Sequence, residues 1–99
     1  MLHTINKSPF QNNSLESCLR VAQEGSAILF IEDGVYGALK DTAVSPAVEA
    51  AMKKLKVYAL APDLDARGVK DRVIDGIELV DYSGFVDLAA ESNKVQSWL

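Results

Sequence analysis

The sequence predicts a single small α/β domain over residues 1–99: a mostly parallel sheet of about five strands in a three-layer α/β/α arrangement. Three observations carry this. Four apolar runs, Leu2–Ile5, Ala27–Ile31, Val57–Leu60 and Ile77–Val80, each lead into a polar or acidic turn and then a helix-like segment. That rhythm is the signature of repeated β-α units. The second run is apolar on both faces, as a central parallel strand must be, and the chain length suits one domain with short helices. In such a sheet the turns after the strands form the functional edge. Here they read Asn6-Lys7-Ser8-Pro9-Phe10, Glu32-Asp33-Gly34, Ala61-Pro62-Asp63 and Asp81-Tyr82-Ser83-Gly84.

Taken in order, the first strand ends near Asn6 and a polar loop follows to Asn13. Asn13 with Glu16 three residues on fits a capping box, and Leu15, Cys18, Leu19 and Ala22 fall on one helical stripe that stops at Gly25. After the second strand, Val35–Leu39 is apolar but too short for an isolated helix, so its order must depend on packing. Ser45-Pro46 reads as a cap followed by proline at the first helical position, opening a helix through Leu55. The third strand leads into Pro62–Arg67, about two helical turns closed by Gly68 as a left-handed cap. Residues 69–76 form a charged connector, Ser83–Glu91 a last helix, and Val95–Trp98 a fifth, edge strand.

Composition narrows the function. A net charge of −4, from 10 basic and 14 acidic residues, gives nucleic acid phosphates little to hold, since binding them needs clustered Lys and Arg. The densest basic group, Lys53, Lys54 and Lys56, sits at a helix end, where cations complement the dipole. One cysteine excludes an intramolecular disulfide and points to a reducing cytoplasm. No apolar run has the length of a membrane span, and the opening residues read as a strand, without the basic and apolar regions of a signal peptide.

The sequence has no Walker loop, GxGxxG, CxxC or HExxH motif, so neither cofactor nor metal is expected. Asp33, Asp63 and Asp81 end three strands, an arrangement that also occurs in magnesium-binding receiver domains. Those domains carry an acidic pair after the first strand, where this chain has Asn6-Lys7, so the aspartates read better as caps of the helices that follow. Cys18 is the sole sulfur nucleophile and thus the one candidate catalytic or sulfur-binding residue. It lies on an apolar stripe past the first helical turn, where burial raises a thiol pKa and the dipole does little to lower it. Arg20, two residues on, points to another helix face. His3, within a strand, reads as a packed histidine, and Tyr36, Tyr58 and Tyr82 as core or interface aromatics. Trp98, near the end, is either docked on the domain or an anchor between subunits.

Several blocks, in this order and spacing, resemble the DsrH/TusB family: Met1-Leu2-His3-Thr4-Ile5-Asn6-Lys7-Ser8-Pro9-Phe10, Glu32-Asp33-Gly34-Val35, Val57-Tyr58-Ala59-Leu60 with Asp63-Leu64 and Ala66-Arg67-Gly68, and Val80-Asp81-Tyr82 with Phe85-Val86-Asp87-Leu88 and Trp98. The likeness runs the length of the chain. Leu15-Glu16-Ser17-Cys18-Leu19 looks closer to the DsrH branch. The resemblance implies a subunit of a cytoplasmic heterohexamer, DsrEFH or TusBCD, with homologous DsrE/TusD-like and DsrF/TusC-like partners. It further implies a sulfur relay to a DsrC/TusE-type acceptor, serving sulfur-compound oxidation or 2-thiolation of the tRNA wobble uridine. The family's principal sulfur carrier is a cysteine of the DsrE/TusD subunit after its third strand. This chain has Ala61-Pro62-Asp63 there, so it is not expected to duplicate that role. A purely structural or docking subunit and a stand-alone thiol enzyme remain the alternatives, and the reactivity of Cys18 separates them. The Val35–Leu39 stretch and Trp98 are expected to contribute apolar surface to the subunit interface.

Overall fold

In a computed structural model describing residues 1–99, five strands form one sheet: β1 (Leu2–Ile5), β2 (Ala27–Phe30), β3 (Lys56–Leu60), β4 (Glu78–Val80) and β5 (Val95–Trp98). The order across the sheet is β4-β3-β2-β1-β5, and every pairing is parallel. The fifth strand therefore lies beside the first, four strands away from its predecessor.

Connections follow from this order. The steps from β1 to β4 all run the same way, so right-handed crossovers place α1 (Ser14–Val21), α2 (Ser45–Ala51) and α3 (Ala61–Ala66) on one face. The return from β4 to β5 runs the other way and places α4 (Tyr82–Glu91) on the opposite face. α4 packs on β4, the strand it follows.

The two faces differ in depth. Register aligns His3 with Ile28 and Val57, and Ile5 with Phe30 and Ala59. Apart from His3, these residues join Leu15, Cys18, Val48, Leu64 and others in one sixteen-residue core beneath the three helices. Leu2, Leu29 and Leu60 point to the other side and are buried there, yet α4 itself has no fully buried residue. The α4 side is a thin layer over a buried sheet.

α2 stops at Ala51, short of the Leu55 read from the sequence, and four further details depart from that reading. Asn13 makes no cap; the carboxamide Oδ1 of Asn12 accepts instead from Ser14 N, at 2.6 Å. Ser45 lies inside α2 rather than before it, its Oγ donating to the Thr42 carbonyl at 3.0 Å, with Val44 in the cap position. Of the three aspartates read as caps, only Asp81 holds that place, its Oδ1 accepting from Gly84 N at 2.8 Å. Val35–Leu39 is not surface: Val35 and Ala38 are buried in a 3₁₀ segment, Glu32–Ala38, and Leu39 is buried just after it. Two glycines allow that burial, because a Cβ at Gly34 would overlap the Ile5 carbonyl and one at Gly37 would press on the Phe30 ring. Downstream, Ile74 N donates to Ala38 O at 2.9 Å and Lys40 N to Arg72 O at 2.8 Å, tying the charged connector over this segment. As read from the sequence, Gly68 closes α3 in the left-handed region, φ +67°.

Candidate functional site

All four strand-end turns lie on one edge of the parallel sheet, and side chains tie the β2 turn to the β3 turn. The turn after β2 begins at Glu32, which adopts φ +50°, a conformation disfavoured for a residue with a Cβ. Its N–H donates to Asp63 Oδ2 at 2.6 Å, binding the β2 turn to the first turn of α3. Arg67, from the last turn of the same region, donates through Nε and Nη2 to Asp33 Oδ1 at 3.0 and 2.8 Å, and through Nη1 to the Asp63 carbonyl at 3.0 Å. The hydrogen bond to Asp33 raises the Arg67 pKa further above its ordinary value. Asp33 and Asp63 thus act across turns, not as caps of their own helices. No group of three or more His, Cys, Asp or Glu side chains is placed to hold a metal ion.

The turn after β1 is stapled differently. Ser8 Oγ accepts from Phe10 N at 3.2 Å, and Ser14 Oγ donates to the Leu99 carbonyl at 3.3 Å, joining the start of α1 to the residue after β5. Behind this loop opens a cleft of about 610 Å³, with Leu15 and Leu19 of α1 on one wall and Val44 and Ala47 on the other. Cys18, on the same helix, does not line it.

Cys18 is fully buried, 0% exposed, among the core residues of the three-helix face. Burial pushes its thiol pKa up to about 11, so the thiolate, the form that attacks sulfur, is scarce at neutral pH. Arg20 pairs with Glu16 at 3.2 Å on the outer face and gives the sulfur no counter-charge.

The sequence did not reveal that His3 and Trp98 meet. Trp98 Nε1 donates to His3 Nδ1 at 3.1 Å, and the rings lie 6.2 Å apart between centroids, tilted by 43°. The signal was topological: the pairing follows once β5 is placed beside β1. Trp98 packs against the core as a half-buried side chain, and its partner His3 is only 4% exposed. Tyr82 and Val86, one turn apart on α4, are instead 60% and 66% exposed, and Val95 of the edge strand β5 is exposed as well. Met1, Phe10, Val21 and Leu99 are the other exposed large apolar side chains.

The site so assembled is a row of strand-end turns, two of them tied through Asp33, Asp63 and Arg67, with no accessible thiol, on a small all-parallel α/β domain. Comparison with known proteins specifies the class. Residues 7–95 match the family described as "DsrH like protein". The protein TusB of Pectobacterium parmentieri is 35% identical over 98 residues, covering 99% of this chain and 100% of that one. TusB of Escherichia coli K12 is likewise 35% identical over 98 residues. The crystal structure of the ychN protein from E. coli superposes with a TM-score of 0.84 at 18% identity, covering 97% of each chain, which shows the shared fold. The chain belongs to the DsrH/TusB family.

Proposed function

We propose that this chain is a non-autonomous subunit of a cytoplasmic sulfur-relay complex of the DsrEFH/TusBCD kind, and that it contributes surface and not a relay thiol. The full-length match to TusB proteins carries the first half of this reading. The buried Cys18, with its raised pKa, supports the second. In persulfide transfer an acceptor thiolate attacks the terminal sulfur in line, the S–S bond breaks and the donor leaves as a thiolate. A core cysteine meets neither requirement. The relay cysteine is then supplied by a DsrE/TusD-like partner, with a DsrF/TusC-like chain completing a heterohexamer and a DsrC/TusE-like protein accepting the sulfur. The destination is sulfur-compound oxidation or tRNA wobble-uridine 2-thiolation.

The test is to co-express the chain with its neighbouring homologous subunits, load the assembly from a persulfide donor, and locate the added sulfur by mass spectrometry. Sulfur on a partner cysteine, with transfer unchanged by Cys18→Ala, supports the proposal. Sulfur mainly on Cys18, with transfer abolished in an intact Cys18→Ala assembly, overturns the assignment of surface without a thiol. Failure to associate with any homologous chain overturns the subunit reading itself.

A further inference from the structure

A second cleft, of about 520 Å³, opens against β1 and β5, far from the strand-end turns. Its walls include His3, Val21, Gln23, Lys94, Gln96 and Trp98. Three features give it a definite chemical preference. First, the indole N–H of Trp98 occupies His3 Nδ1, so a neutral imidazole must carry its proton on Nε2. His3 is a buried side chain lining the cleft, and its only hydrogen bond is the one through Nδ1. Nε2 is not among the fully buried polar atoms left without a partner, so its N–H meets solvent in the cleft and is free to donate to a bound acceptor. Second, Lys94 is the charged side chain on the wall, and no carboxylate lines the cleft. The nearest acid, Glu24, belongs to the adjoining hollow. Third, the Trp98 and Val21 side chains give the cleft an apolar wall beside these donors.

We propose that this cleft binds a small oxyanion, a carboxylate or a sulfur oxoanion, whose acidic group accepts from His3 Nε2–H and lies against the Lys94 ammonium while any apolar part rests on Trp98. Burial and the nearby amino group of Met1 keep the His3 pKa low, so the tautomer that aims a proton into the cleft prevails at neutral pH. The volume suits a small molecule, since ligand pockets run from about 300 to 1,000 Å³.

The chain contains one tryptophan, whose indole N–H gives a single resonance at the cleft wall. With only this subunit labelled with nitrogen-15, alone or in its co-purified assembly, sodium phenylacetate and sodium thiosulfate are titrated at constant ionic strength and neutral pH. The expected result is a saturable shift of the Trp98 indole and Lys94 signals. Lys94→Gln should weaken binding about tenfold, the loss of one charge-assisted hydrogen bond. Glu24→Gln should leave it equal or tighter, and His3→Gln, which can both accept from Trp98 and donate into the cleft, should retain part of it. Saturation by phenylacetate alone assigns the site to carboxylates, by thiosulfate alone to sulfur oxoanions, and by both to oxyanions in general. No saturable shift with either salt, or equal binding by Lys94→Gln, overturns the proposal.

Discussion

Trp98 donates its indole N–H to the Nδ1 of His3, adding a side-chain bond to the backbone pairing of the last strand with the first. It requires His3 to be neutral, because a protonated imidazole has no acceptor nitrogen. Burial first, and the N-terminal ammonium second, lower the His3 pKa below its ordinary 6.5. The cleft around His3 contributes Lys94 and no carboxylate, so nothing nearby stabilises the imidazolium.

The pH dependence follows in sign. The unfolded chain takes up a proton near pH 6.5, the folded chain only below that. The contribution of neutral His3 to stability is therefore complete above 6.5 and declines as pH falls from there toward the folded-state pKa. Denaturant melts between pH 8 and pH 5 should show this decline, and His3→Gln should flatten it. Trp98→Phe keeps an apolar ring but removes the donor. It should cost about 1 kcal/mol and speed amide exchange in β5 more than in β2 or β3.

Cys18 should resist thiol reagents in the native protein and react fully on unfolding, because the thiol is both buried and kept protonated up to about pH 11. Its pKa is raised in the fold, so its contribution to stability is present below the unfolded-state value and is lost as pH rises toward the folded one. Two substitutions distinguish packing from chemistry. Cys18→Ser places a hydroxyl in the apolar core and should cost about 1–3 kcal/mol, whereas Cys18→Ala leaves only a small cavity and should cost less. Fast labelling of the native chain by a maleimide would contradict the buried geometry.

The first four strands were legible because each falls in a short apolar run between turn residues, and β1 and β5 match the sequence reading end for end. What could not be read depends on residues distant in sequence. The Arg67 to Asp33 bond spans 34 positions and the His3 to Trp98 bond 95, and neither leaves a local pattern. Val35–Leu39 reads as free apolar surface when considered alone. Only the third dimension shows that Gly34 and Gly37 let it sink onto β1 and Phe30. The cap at Asn12 in place of Asn13 is a one-residue error of the kind that helix ends commonly produce.

Gly34 offers a sharp test of that packing. Its absent side chain faces backbone, the Ile5 carbonyl, which cannot rotate aside as a flexible side chain does. Gly34→Ala should therefore displace the Glu32–Ala38 segment from the end of β1 and destabilise by several kcal/mol, more than the ~1 kcal/mol typical of point substitutions. Gly25→Ala is a useful contrast: a Cβ there meets nothing within 4 Å, so its cost comes from φ +89° alone. A thermal shift for Gly34→Ala no larger than that for Gly25→Ala would refute the close approach.

The last prediction concerns assembly. With most of Val35–Leu39 in the core and Trp98 turned toward His3, the exposed apolar pair on a single helix turn is Tyr82 and Val86 of α4, while Phe10, Val21, Val95 and Leu99 are exposed elsewhere. Beneath α4 the sheet residues Leu2, Leu29 and Leu60 are already buried, so polar substitutions on the outer face of this helix need not disturb the fold. Val86→Asp should leave the circular dichroism spectrum and melting midpoint nearly unchanged, since exposed positions usually shift stability by no more than about 0.5 kcal/mol. Placed in an apolar interface, however, the new carboxylate must be desolvated without a partner, which costs several kcal/mol and weakens association by at least about a hundredfold. Sedimentation of the co-expressed assembly measures this directly. The expected outcome is a folded Val86→Asp chain that no longer co-sediments with the homologous subunits, while Val21→Asp, at an exposed position on α1, still does. Undiminished assembly by Val86→Asp would place the interface elsewhere on the molecule.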